Sequence, residues 1–336
     1  ALDERGDVLL GASIAASTTQ FFNDMAPGES VRTIRKALDL LPPGADPPTE
    51  ARLSRAIAIG ARNMPASAIR AAGERAVEIY RGLGDRAELA EALRGLAQLI
   101  GWYFREEREL ADELACESIE IARTLDDPVQ LAISLRTRGL TIAMSDIPQK
   151  RAVLEESLEL MRRHGNDRQI GTMLTWISDF EFSAGDLPHA LDYGREAVSY
   201  AESSGSNDLY SLAMSNLSIY AGATKEWEIA RNAVARSIAS SRKTRQQEYI
   251  SFSVQAAAVI AAGNARPEDA ARLIGWCDVR VGVLHPGRQA DQSEEITHRN
   301  LMDDLRERLG PDELARLMGE GAMMNEDEAF ALALTA

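Results

Sequence analysis

Almost nothing in these 336 residues suits a β-sheet, a disulfide scaffold or a membrane span. Aromatic residues make up only 5% of the chain and β-branched runs are few, so packing falls to Ala, Leu, Ile and Val, a composition of close-packed helices. The two cysteines, Cys116 and Cys277, are too few for a disulfide framework. Each reads as a small buried apolar side chain in a helix, as expected in a reducing cytosol. No apolar run reaches the ~18 to 20 residues that a membrane span needs, and no charged start precedes an apolar signal core. The chain opens on Ala1-Leu2-Asp3-Glu4-Arg5 without a Met, as an excised piece of something longer would.

Basic charge is also scarce. Lys and Arg total 37 against 52 Asp and Glu, a formal charge of −15. That field repels phosphate backbones and anionic membrane surfaces and favours basic or neutral partners.

Catalytic signatures are missing as well. There is no Gly-rich loop ending in Lys-Ser/Thr and no Gly-x-Gly-x-x-Gly after a strand. The four histidines, His164, His189, His285 and His298, form no metal-ligand spacing, so neither a metal nor a cofactor is expected. Asp126-Asp127, Glu155-Glu156 and Asp303-Asp304 are neighbours about 100° apart on a helix and make no carboxylate dyad. Ser240-x-x-Lys243 has the spacing of a serine–lysine pair but sits in a basic helix C-terminus, where the dipole favours cations. The sequence therefore reads as non-enzymatic.

What is present is a repeat. A helix ends in a small cap beside an acidic or amide residue at Gly84-Asp85, Asp126-Asp127, Gly165-Asn166 and Gly205-Ser206-Asn207. Positions 85, 127, 166 and 206 are spaced by 42, 39 and 40 residues. Such a period belongs to a solenoid of helix pairs, each too small to bury its apolar face without its neighbours. The fourth unit is the clearest. Ile170, Leu174 and Ile177 mark a first helix at 3–4 spacing; Ala184-Gly185-Asp186-Leu187-Pro188 turns the chain, with Asp186 as N-cap; Ala190, Gly194 and Ala197 keep the second helix thin.

The pattern predicts an all-α, right-handed superhelical solenoid of about seven helix pairs with a C-terminal helical cap. It divides into an opening pair over 1–42, a repeat array over 49–285 and capping helices over 286–336. Pro42 through Pro48 reads as a rigid loop after the first pair. His285-Pro286-Gly287 ends the period, Pro311 opens one capping helix, and Asn325 with Glu328 marks another as a capping box.

Gly185-Asp186-Leu187-Pro188-His189-Ala190 through Ala197 resembles a tetratricopeptide repeat of long-helix type. Gly28 through Pro43, Arg266 through Gly275, and Leu309 through Leu334 further resemble the sensor region of bacterial signal-transduction ATPases with numerous domains. Those proteins join an effector, a P-loop ATPase and a C-terminal tetratricopeptide sensor. The resemblance implies that this chain is the sensor alone, acting in signal transduction through a linked effector, a DNA-binding domain or a nucleotide cyclase, and so in transcriptional regulation or cyclase signalling. Trp276-Cys277, where small residues are usual, and Thr18 to Asn23 depart from the pattern.

In such a stack the first helices line the concave face. Candidate ligand-binding residues there are Glu91, Arg94, Gln98, Arg136, Thr172, Thr175, Trp176, Asp179, Phe182, Ser215, Asn216, Ile219 and Gln255. Arg94 and Arg136 have the fork geometry for a carboxylate or phosphate. Trp176 and Phe182 serve either inter-repeat packing or stacking on a ligand. Two functions stay open: a sensor whose groove binds a peptide, protein segment or small inducer and regulates a linked ATPase, or a plain protein–protein adaptor. No direct nucleic-acid or membrane contact is expected, and the expected location is the cytoplasm.

Overall fold

The computed structural model describes residues 7–25, 27–42, 44–60, 64–244, 247–284 and 292–336. Among them are seventeen α-helices and no strand. They run as pairs: α1 (Val8–Met25) with α2 (Pro27–Leu40), α3 (Pro47–Gly60) with α4 (Ala66–Leu83), and α5 (Arg86–Tyr103) with α6 (Arg108–Arg123). Next come α7 (Pro128–Thr141) with α8 (Ile147–His164), α9 (Asp167–Ser183) with α10 (Leu187–Ser204), α11 (Asn207–Ala223) with α12 (Trp227–Thr244), and α13 (Gln247–Gly263) with α14 (Pro267–Leu284). Three helices close the chain: α15 (Gln292–Leu309), α16 (Pro311–Ala322) and α17 (Glu326–Ala333). The chain forms two compact units, Ala1–Leu160 and Met161–Ala336. Each is a stack of helix pairs of the tetratricopeptide type.

The periodic polar marks turn out to be helix N-caps. Asp85, Asp127, Asn166 and Ser206 each accept a hydrogen bond from a backbone amide in the first turn of α5, α7, α9 and α11. The repeat seen in the sequence is thus the repeated start of the first helix, where four amides lack intrahelical partners.

Within pairs, a hydroxyl of the second helix holds the first. Ser118 donates to the carbonyl of Ala90 (2.8 Å), Ser157 to that of Ala132 (2.6 Å) and Ser237 to that of Ser211 (3.2 Å). Cys277 occupies the same register, its Sγ 3.4 Å from the carbonyl of Ser251. This thiol is a soft substitute for the serine of the other pairs. Its neighbour Trp276 packs edge-on against Phe330 of α17, centroids 6.0 Å apart. That contact accounts for a large residue where small ones are usual.

The loop after the first pair is shorter than the proline cluster suggests. Asp46 caps α3 through the amide of Thr49 (3.2 Å), and Pro47 and Pro48 lie in its first turn. Proline is tolerated there because those amides have no intrahelical acceptor. The His285-Pro286-Gly287 break lies outside the described residues.

At the C-terminal end α16 docks on α14 by direct backbone approach. A Cβ at Gly275 would collide with the Met318 carbonyl, and one at Gly321 with the Arg272 carbonyl. Asn325 and Glu328 form the capping box that opens α17. Helix α15 packs against α13, α14 and α16 and also reaches α9, the first helix two pairs earlier.

Candidate functional site

Successive first helices touch: α1 meets α3, α3 meets α5, and α5 meets α7 in the first unit, as α9 meets α11 and α11 meets α13 in the second. Second helices such as α4 and α6, or α10 and α12, make no comparable contact. The first helices therefore form the tighter, inner side of each stack. All thirteen candidate residues lie on them. Thr175, Phe182, Ser215, Ile219 and Gln255 are buried; Glu91, Arg94, Gln98, Arg136, Thr172, Trp176, Asp179 and Asn216 are half-buried.

In the first unit the inner face carries a charged layer. Arg55 of α3 lies 3.1 Å from Glu88 and 3.6 Å from Glu91, both on α5. One turn further along α5, Arg94 donates to Glu91 (2.8 Å) and to Gln98 (3.5 Å). Burial works to raise the Glu91 carboxyl, but Arg94, Arg55 and Arg136 together hold it below the usual carboxylate range. Arg136 of α7 responds in the opposite sense: burial and the charge of Arg94 pull its guanidinium down to about 9, against Glu91. Tyr80 of α4 closes the layer at one side, its hydroxyl pushed up by burial and by the nearby Glu88. Sequence spacing brought out Glu91, Arg94, Gln98 and Arg136. It missed Arg55 and Glu88, because the pairing of α3 with α5 is a tertiary contact that repeat spacing alone does not fix.

In the second unit the inner face is more closely packed. Phe182 stacks on Tyr220 of α11, centroids 5.3 Å apart and planes tilted by 34°, which is the inter-repeat packing arrangement. The buried Tyr220 hydroxyl lies 3.4 Å from Ser178 and faces Asp179 and Asn216, and burial first, then the Asp179 charge, drives it well above its ordinary range. Thr172 and Thr175 turn their hydroxyls onto backbone carbonyls of their own helix. Helix α15 already lies against α9 and α13 of this face. Its buried stripe is Ser293, Thr297, Leu301 and Leu305.

Ser240 hydrogen-bonds Ser211 at 2.8 Å, and Lys243 lies in the last turn of α12. Among the described residues no group of three or more His, Cys, Asp or Glu is arranged to hold a metal ion, and no helix is long and apolar enough to cross a membrane. Cys116 and Cys277 are both free thiols.

The sequence matches no protein-family profile. It is 30% identical over 222 residues to proteins of Mycobacterium tuberculosis and Mycobacterium bovis named as HTH-type transcriptional regulators, a match covering 62% of this chain. The chain spans about a quarter (24%) of the length of those relatives. Among solved structures it resembles a Rap protein in complex with competence and sporulation factor, at a TM-score of 0.62 and 14% identity over 94% of this chain and 89% of that one. It also resembles a signal-transduction ATPase with numerous domains and a tetratricopeptide repeat sensor from Pyrococcus horikoshii, at a TM-score of 0.52 and 14% identity over 95% of this chain and 56% of that one. These likenesses establish the tetratricopeptide-like fold.

Proposed function

We propose that this chain is a non-enzymatic sensor module whose inner face binds a peptide, protein segment or small inducer, and that it controls a linked ATPase and effector in cytoplasmic signalling to transcription. The observation that carries the reading is the half-buried polar layer of Glu91, Arg94, Gln98 and Arg136 on adjacent first helices. Charged side chains buried to that degree are held in place yet keep one side accessible, which a flat scaffolding surface does not require. The first unit is the better receptor, because α15 already occupies part of the inner face of the second.

The kinship with transcriptional regulators and the likeness to an ATPase carrying a repeat sensor favour a regulatory role over a free-standing adaptor. The Rap structure, solved with its competence and sporulation factor, offers a precedent for a bound factor on this fold. A ligand that switches a linked ATPase almost completely must prefer the active arrangement by about 5 kcal/mol. A stack of pairs suits such a switch because small rotations at each interface add up.

The test is native mass spectrometry of the chain after incubation with fractionated cytosolic extract, followed by hydrogen-exchange mapping of any adduct. A discrete small mass that protects α5 and α7 supports the sensor. Protection confined to the second helices, with whole proteins as the only adducts, supports the adaptor instead.

A further inference from the structure

Helix α15 does not continue the stack. The helix that docks on α14 by direct backbone approach is α16, through Gly275 and Gly321. Helix α15 instead touches α9 and α13 as well as α14 and α16. Because α11 lies between α9 and α13, a helix that meets both runs across the inner face of the second unit.

The side of α15 turned to the protein is a stripe at every fourth position, Ser293, Thr297, Leu301 and Leu305, all buried. Apolar burial along it is uneven. The C-terminal half buries Leu301, Met302 and Leu305, and Arg308 donates to the carbonyl of Ala262 in α13 (2.7 Å). The N-terminal half buries Ser293 and Thr297, and covers its one large apolar residue, Ile296, only in part. Among the described residues the buried Thr297 Oγ1 has no hydrogen-bond partner. A buried hydroxyl without a partner works against the docking that buries it. A segment that buries so little apolar surface belongs to the low-stability end of a fold and opens locally.

We propose that the inner face of α9, α11 and α13 is a groove for an amphipathic protein helix, with the N-terminal half of α15 as its resident, self-supplied occupant. The ligand so defined is a helix in trans with anchors at i, i+4, i+8 and i+12, small at the first two and leucine-sized at the last two. Ala or Val at the first two positions gives it the advantage over the Ser293 and Thr297 of α15. A tethered competitor acts at an effective concentration on the order of millimolar, which sets the affinity the ligand must exceed. This adds a second site, on the other unit, to the sensor reading. The two are told apart by the helices protected: α5 and α7 for the first, α9 and α13 for this one.

The experiment is titration of the full chain with a labelled synthetic peptide of residues 292–309, read by fluorescence anisotropy and by hydrogen exchange. In the parent chain, amides over 293–300 should exchange about tenfold or more faster than those of α13 and α16. Thr297→Val replaces the unanswered hydroxyl by a methyl group of the same shape. It should slow that exchange by about tenfold and weaken peptide binding in proportion. Leu301→Ser loosens α15 in the chain and should tighten peptide binding by about tenfold or more, α9 and α13 staying protected while α15 is released. A peptide carrying Thr297→Asp and Leu301→Asp should not bind. Thr297→Val removes no packing, so it keeps the test decisive should Leu301→Ser fail to fold. Three results would each overturn the assignment: α15 exchanging only in step with α13, a peptide that binds neither the parent nor Leu301→Ser, or a Thr297→Val chain whose α15 opens as readily as the parent's.

Discussion

The hydroxyls of Ser118 on α6 and Ser134 on α7 lie 2.9 Å apart with neither residue exposed to solvent, while Ser118 gives its one proton to the carbonyl of Ala90 on α5. Ser134 must therefore be the donor between the two, and a single chain of hydrogen bonds ties three helices of two successive pairs. Ser253, Ser237 and the carbonyl of Ser211 repeat the arrangement in the second unit. Replacing Ser118 by Ala removes one link and leaves the buried Ser134 hydroxyl without this partner, a loss of about 1–3 kcal/mol. Urea unfolding with unchanged slope should show it. Cys277→Ser restores the common residue at the same register, and its unfolding midpoint should stay close to that of the parent chain.

The turns inside pairs offer a second check. Gly185, Lys225 and Ala265 hold equivalent positions with φ of 84°, 62° and 58°. In each case the following amide reaches back to a carbonyl five residues earlier: Asp186 to Glu181, Glu226 to Ala221, Arg266 to Ala261. Only the first of these sites has the residue that this conformation favours, since a Cβ there adds about 1 kcal/mol of strain. Lys225→Gly and Ala265→Gly should each raise stability by up to about 1 kcal/mol, and Gly185→Ala should lower it by a similar amount. A denaturant series on the three variants decides; a stabilising Gly185→Ala would contradict the account.

The marks legible in the sequence were those whose physics is local. Asp85, Asp127, Asn166 and Ser206 stand out because a helix start demands a side-chain acceptor wherever it occurs. The capping box at Asn325 and Glu328 is legible for the same reason. Pro47 and Pro48 read as loop in the sequence because proline breaks a helix interior, yet the first turn of α3 admits both. The serine register at 118, 157 and 237 repeats at 39 and then twice 40 residues, with Ala197 at the intermediate position. It stayed hidden because Ser and Ala are interchangeable as small residues until a carbonyl partner is known. The reach of α15 to α9 could not be read at all, since it depends on tertiary packing between segments more than a hundred residues apart.

Close backbone approach at the C-terminal end gives a third expectation. Gly275 on α14 faces the backbone of Met318, and Gly321 on α16 faces the backbone of Arg272, so each helix offers a glycine to the other. A methyl group at either position meets backbone, which cannot rotate aside, and the helices must separate. Gly321→Ala and Gly275→Ala should each destabilise the docking of α16 by more than the usual 1–3 kcal/mol of overpacking. Limited proteolysis should then cut near Gly310 in the variants and spare the parent chain. Gly319→Ala is the matched control, because its Cβ would meet nothing within 4 Å.

The docking of α15 should also depend on pH. His298 of α15 lies 3.0 Å from Asp278 of α14. The hydrogen bond to Asp278 raises the imidazole above its ordinary value of 6.5; burial opposes the shift, the Asp278 charge adds to it and Arg306 works against it. A group with a raised pKa in the folded state binds more protons folded than unfolded. Its contribution is complete below the unfolded value and is lost as pH rises through the folded one. The parent chain should therefore exceed His298→Gln in stability at pH 5.5, and the gap should close by pH 8.5. Asp278→Asn should remove the same pH-dependent gap. Thermal unfolding of the three proteins across that range, in one buffer series, measures it directly. A gap that is constant with pH would mean that His298 holds α15 by packing alone.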